Sequence, residues 1–184
     1  MGRGRDANQA IGPQWYDPRG KLGDDRVKKW IKRIFVCGII LFIASQAIRP
    51  ARTNPPIDPT REITARLTVD PAVASIMARS CNDCHSNCTV WPWYSNVAPI
   101  SWFVINHVNE GRRHMNFSDW AAIPPAKVAP TLNRICKEVK SGDMPLDTYT
   151  PMHPGSKLTS ADEDTICRWT DATSQNLPPA AKTP

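Results

Sequence analysis

Cys81-Asn82-Asp83-Cys84-His85, near the middle of a 184-residue chain, sets two thiols three residues apart with an imidazole directly after the second. This C-x-x-C-H pattern is that of c-type haem attachment. Two thiols so spaced on a tight turn reach the vinyl groups on one edge of a porphyrin, and the next histidine lies under the iron. A redox C-x-x-C needs no such histidine and expects a βαβ context, which the flanking sequence lacks. A zinc site needs two further ligands at short spacing, of which Cys88 supplies at most one.

Outward from the motif the chain reads as helices and loops. Asp70 as N-cap and Pro71 at the first helical position open a helix that runs straight into Cys81. Trp91-Pro92-Trp93-Tyr94 reads as loop, and residues 100–110 have helical spacing ending at Gly111. Asn116-Phe117-Ser118-Asp119-Trp120 reads as a loop closing on a helix cap. Residues 127–140 put Leu132, Ile135, Cys136 and Val139 on one face, with Gly142 as the stop. After a loop over 143–158, Thr159 or Ser160 caps a last helix over 161–174. No strand pattern is evident, so the expected class is all-α.

The net charge of +6 is unevenly placed. Residues 1–48 hold nine of the 23 Lys and Arg and four of the 17 Asp and Glu, leaving a nearly neutral 14 and 13 beyond. Nucleic-acid binding by the main domain therefore has no support. The basic segment leads into an uncharged apolar run over residues 34–48. Counted from Ile31, with Lys32 and Arg33 snorkelling, that is about 27 Å of helix against a hydrocarbon core of about 30 Å. With Trp30 as interfacial anchor, the expectation is one transmembrane helix over 27–49. The cluster Lys28-Lys29…Lys32-Arg33 places the N-terminus in the cytoplasm. A cleaved signal peptide is the competing reading, but more than thirty residues before the apolar run is long for one. The expected order is a cytoplasmic segment over 1–26, the span, a Pro-rich linker over 50–68, a haem domain over 69–175 and a tail over 176–184.

A haem held by one histidine takes a sixth ligand or leaves that position open. Met144, in Gly142-Asp143-Met144-Pro145, lies 59 residues after His85 on a polar loop, where a thioether can swing over the far face of the ring. His114 and His107 are rivals, although His107 sits mid-helix. His153 reads as bonded to backbone in its Pro-rich loop. Trp91, Trp93, Tyr94 and Trp102 offer aromatic surface and donors for a haem pocket, and Arg112 and Arg113 offer charge for propionates. Cys136 and Cys167 lie on the helices flanking the Met144 loop and are the preferred disulfide pair, with Cys88 able to replace either.

The order helix, CxxCH, loops, helix, GxMP, helix resembles a class I c-type cytochrome. More closely, residues 81–169 resemble a cytochrome-c-like haem-binding domain family of bacterial membrane and periplasmic proteins. The stretches that carry this are Cys84-His85-Ser86-Asn87, Trp91-Pro92-Trp93-Tyr94-Ser95, Ala98-Pro99-Ile100-Ser101-Trp102, Glu110-Gly111-Arg112-Arg113-His114, Asn116-Phe117-Ser118-Asp119-Trp120 and Gly142-Asp143-Met144-Pro145. The resemblance implies a helical fold around one covalent haem c on the outer side of the bacterial inner membrane. It also suggests the Pro99 carbonyl as acceptor for His85 Nδ1. The expected activity is one-electron transfer rather than enzymatic turnover, with membrane electron-transfer subunits or a soluble redox protein as partners. An accessory subunit of a respiratory or photosynthetic complex, or a sensor or peroxidase-like protein with an open sixth site, are the alternatives.

Overall fold

The computed structural model describes residues 21–178, so the N-terminal twenty residues and the last six of the expected tail lie outside the described residues. The chain divides into two compact units, residues 1–47 and 48–184.

In the first unit, α1 spans Lys21–Ser45. Its first half carries Lys28, Lys29, Lys32 and Arg33; its second half exposes Ile34, Phe35, Ile40, Leu41 and Ile43. The Arg33 guanidinium lies 5.8 Å from the centre of the Trp30 ring. The transmembrane helix expected over 27–49 is not found. Among the described residues no helix is long and apolar enough to cross a membrane. The reason is local: the helix ends at Ser45, so its uncharged part, residues 34–45, spans only about 18 Å.

The second unit is helical, with no strand among its described residues. It contains α2 (Ile63–Arg66), α3 (Pro71–Ser80), α4 (Asn82–His85), α5 (Ile100–His114), α6 (Pro125–Lys140) and α7 (Ser160–Gln175). Short 3-10 helices lie at Trp93–Asn96, Phe117–Ala122 and Thr150–Met152. The ends follow local chemistry. Pro71 and Pro125 open α3 and α6, where a missing N–H costs nothing. Thr159 and Asp162 form a reciprocal capping box on α7. Gly142 ends the α6 region at φ +77°, a left-handed conformation that glycine adopts without strain.

One core cluster joins Ile63, Val73, Met77, Phe117, Trp120, Leu132 and Trp169, and a second joins Ile76, Val139 and Ile166. α6 packs along α7, and Cys136 and Cys167 join them through a disulfide with a Cα–Cα distance of 4.8 Å. α4 packs on α3 and α5, and α3 also meets α7.

Residues 50–68, expected as a linker, belong to the compact unit. Ile63 is part of the core, the Ala121 N–H donates to the Arg61 carbonyl at 3.0 Å, and Arg61 pairs with Asp119 at 2.6 Å. Residues 48–58 have no regular structure, so their carbonyls need donors from elsewhere. The Trp102 indole N–H reaches the Ile48 carbonyl at 2.8 Å, and Arg112 reaches the Thr53 carbonyl at 2.7 Å.

Candidate haem site

α3 delivers the motif. Val73, Ile76 and Met77 bury one face of it, and its last turn hands over to Cys81, whose φ −127° and ψ −40° separate α3 from α4. The Cys84 and His85 amides both donate back to the Cys81 carbonyl, at 3.2 and 2.9 Å. This single tight turn sets Cys81 and Cys84 one helical turn apart, and residues so spaced share a face.

Both cysteines and His85 line a cavity of about 540 Å³. Its near wall is α4 and α5, including Gly111 and His114; its far wall is α6, through Thr131, Arg134, Ile135 and Val139. Met144, Leu146, Tyr149 and Leu158, from the segment between α6 and α7, close it. Among the described residues α6 makes no close backbone contact with α4 or α5, so the cavity is a slot between two walls. Such a volume falls within the range of about 300–1,000 Å³ for cofactor sites.

The near wall is tightly built. At Gly111 a Cβ would stand 2.5 Å from the Cys84 carbonyl oxygen, so glycine is what lets α5 lie against the turn of the C-x-x-C-H. Gly111 does not end α5, as its position in the sequence suggested; the helix runs on to His114.

That overrun decides which carbonyl holds His85. Its Nδ1 lies 3.1 Å from the Met115 carbonyl oxygen, just past the end of α5. A carbonyl only accepts, so Nδ1 carries the proton and Nε2 keeps its lone pair. The Pro99 carbonyl, suggested for this role, accepts instead from the Trp102 amide at the other end of α5. Burial holds the His85 pKa below its usual value, with the Met115 and Gly111 carbonyls opposing and the His114 and Arg134 charges adding to the effect. A neutral imidazole with one nitrogen anchored is the ligand form of histidine.

The two thiols are protonated at neutral pH. Burial first, then the neighbouring Cys84, pushes Cys81 up to about 12; burial first, then the Asp83 charge, pushes Cys84 up to about 11. Low-pKa thiolates, which a thiol-redox centre uses, are absent from this turn. Among the described residues no group of three or more His, Cys, Asp or Glu is placed to hold a metal ion.

The remaining expected pocket residues are elsewhere. Arg112 donates to Ser86 O and Thr53 O at 2.7 Å, to Asn54 Oδ1 at 2.9 Å and to Thr89 Oγ1 at 2.7 Å, tying residues 53–54 to the segment after the motif. Trp91 donates to Asn54 Oδ1 at 3.2 Å, and Trp102 is spent on Ile48. Trp93 is 74 % exposed, Arg113 pairs with Glu110 on the surface, and Tyr94 packs edge-on against Trp93 and His153. None of these six lines the cavity. Aromatic and basic residue types suited a haem pocket, but carbonyls at Ile48, Thr53 and Ser86 and the side chains of Asn54 and Thr89 take the donors of Trp91, Trp102 and Arg112.

Sequence reasoning missed Met115, Phe117 and Tyr149. Phe117 lies 6.1 Å from the His85 ring and stacks on Trp120, whose indole nitrogen is buried without a hydrogen-bond partner. Tyr149 donates to Asp83 Oδ2 at 2.8 Å, and burial first, then this bond, drives its hydroxyl pKa far up. Of the rival ligands, His107 and His114 also line the cavity, whereas His153 does not.

The slot suits a flat, apolar ring by its two separated walls, its pair of neutral thiols on one turn, and an anchored imidazole beside them. Residues 40–172 match the family model described as haem-binding domain. No curated protein and no solved structure matches the chain.

Proposed function

Because the chain belongs to the haem-binding domain family, we propose that it is a monohaem c-type cytochrome working as a one-electron carrier. Cys81 and Cys84 would hold the haem through thioether bonds, His85 Nε2 would ligate the iron from the near wall, and Met144 would ligate it from the closing segment. The observation that carries this reading is that these four residues, 63 positions apart at the extremes, line one cavity. When bound, the haem supplies the Fe(III)/Fe(II) couple, and a thioether opposite an imidazole sets a higher potential than two imidazoles would.

The protein's own part is positional. Met115 fixes the His85 tautomer, Gly111 brings α5 onto the attachment turn, and the disulfide holds the far wall. The disulfide also favours an oxidising compartment, in agreement with a periplasmic haem domain. Membrane attachment through α1 rests on its exposed apolar half behind a basic half, and electron-transfer subunits of the same membrane are the partners it suggests.

A pyridine-haemochrome spectrum of the purified full chain is the direct test. A c-type spectrum is expected, and its absence after expression with a haem-attachment system would overturn the assignment. A Met144→Ala variant should lose the Met–Fe(III) charge-transfer band; retention of the band would move the sixth ligand elsewhere, with His114 next in line. Carbonate extraction of membranes tests the attachment, which a fully released chain would refute.

A further inference from the structure

Residues 143–158 carry Met144 but contain no α-helix, only the 3-10 turn Thr150–Met152. Their position over the cavity therefore depends on ties to other elements. At the far end, Arg79 Nη1 and Ser80 Oγ donate to the Gly155 and Ser156 carbonyls, each at 2.8 Å. At the near end the Met144 amide donates to the Glu138 carbonyl at 3.0 Å. Between them, one side-chain bond reaches the C-x-x-C-H itself: Tyr149 Oη to Asp83 Oδ2, at 2.8 Å.

Both partners of that bond are held. Asp83 accepts the Val90 amide on its other oxygen at 2.9 Å. The Tyr149 ring stacks on His153 with centroids 3.7 Å apart and planes 13° from parallel. His153 Nδ1 donates to the Tyr149 carbonyl at 2.9 Å, which leaves Nε2 to accept from Tyr94 Oη at 3.5 Å. Asp83 occupies a variable place in the motif, and a charged acceptor there aimed at a half-buried hydroxyl is not needed for attachment. It links the turn that holds one iron ligand to the segment that brings the other.

We propose that the Tyr149–Asp83 hydrogen bond is a clasp that keeps Met144 on the iron, making Tyr149 a positioning residue for the sixth ligand. The clasp rests on Met144 being that ligand. Hydrogen bonds to charged groups are strong, so losing this one should raise the population with an open sixth position about tenfold to a hundredfold. Carbon monoxide, which binds ferrous haem only where that position is open, reads this population directly.

The test uses the full chain with haem attached. Tyr149→Phe, which keeps the ring stack, should leave the pyridine-haemochrome spectrum unchanged, weaken the Met–Fe(III) band and speed carbon monoxide binding about ten- to a hundredfold. Asp83→Asn should act in the same direction, because one amide oxygen cannot serve both Val90 and Tyr149 as two carboxylate oxygens do. It decides the matter if Tyr149→Phe fails to retain haem. Tyr94→Phe, which loosens His153 without touching Asp83, should stay within twofold of wild type. Binding rates within twofold of wild type for Tyr149→Phe and Asp83→Asn, in protein whose wild type shows the band, would overturn the clasp alone. A wild type without the band would overturn the Met144 assignment first.

Discussion

Gly111→Ala adds one methyl group where the structure has no room for it. The new Cβ would meet the Cys84 carbonyl oxygen at 2.5 Å, its carbonyl carbon at 3.0 Å and its Cβ at 3.1 Å. All three atoms belong to the attachment turn, two of them backbone, so no flexible side chain can swing aside. Ordinary contact begins near 3.4 Å, and α5 must retreat by about 0.9 Å to reach it. Met115 follows Gly111 by one helical turn and moves with it, its amide being bonded to the Gly111 carbonyl at 2.9 Å. The His85 Nδ1 to Met115 bond, at 3.1 Å, would then stretch to about 4 Å and be lost. Overpacking costs about 1–3 kcal/mol and the lost bond about 0.5–1.5 kcal/mol, so roughly 1.5–4.5 kcal/mol in total. That corresponds to about 5–15 °C in melting temperature for a domain of this size. Thermal unfolding followed by circular dichroism measures the loss, and the haem spectrum reports the freed imidazole. Gly142→Ala is the control, since its Cβ meets nothing within 4 Å and only its φ of +77° resists a side chain. It should cost about 1–2 kcal/mol and leave the haem spectrum alone. A Gly111→Ala protein that melts within about 1 °C of wild type with an unchanged spectrum would refute the close-approach argument.

Replacing Cys136 and Cys167 by serine opens a loop of 31 residues and should cost about 3–4 kcal/mol by the chain-entropy estimate, read as a lower denaturant midpoint. Asp162 is held below its ordinary 3.8, first by the Thr159 amide and then by Arg79, so its contribution is complete above that value and disappears as pH falls through the lowered one. Wild type should therefore lose stability below about pH 4 more steeply than Asp162→Asn, and parallel acid-unfolding curves would contradict this. Arg112→Ala removes a cation shared by four acceptors and should raise proteolytic cleavage within residues 48–58, while leaving haem content intact; lost haem with an uncleaved segment would return Arg112 to the pocket. Chain made without haem attachment leaves the apolar lining of the slot, Ile135 and Val139 of α6 included, open to water. It should show amide exchange in α6 and α7 much faster than the haem-loaded chain, and equal protection would refute the slot's dependence on its occupant.

The helices around the C-x-x-C-H and the all-helical class were legible because each rests on local chemistry. Asp70-Pro71, the Thr159–Asp162 box and Gly142 act within a turn or two, and the structure puts helix ends there. What failed was distance. Gly111 looks like a helix stop in sequence, but its reason is a contact 27 residues away at Cys84. The acceptor for His85 moved from Pro99 to Met115 for the same cause, since the direction in which α5 crosses the turn is not written in either residue. Arg112, Trp91 and Trp102 have the right chemistry for a porphyrin, yet the Ile48 and Thr53 carbonyls and the Asn54 side-chain oxygen lie close to them and take their donors.

The ties within the second unit fall into two sets, which bears on how such a site would work. Arg112, Gly111 and the Met115 carbonyl all act within the wall made of α4 and α5. The Cys136–Cys167 disulfide and the capping box act within the wall made of α6 and α7. The walls meet through α3, which packs on α4 and on α7, with Arg79 paired to Asp162 at 2.6 Å. Between the C-x-x-C-H and the closing segment the side-chain bond is Tyr149 on Asp83, with Tyr94 on His153 beside it, and α5 and α6 make no close backbone contact. A ligand pair split between the near wall and the closing segment, as proposed above, would be sensitive to the Tyr149 hydroxyl, while covalent attachment at Cys81 and Cys84 would not. On the proposed reading, retention of the cofactor and choice of its sixth ligand would rest on different residues, so changes at Tyr149 would alter potential and access without loss of haem.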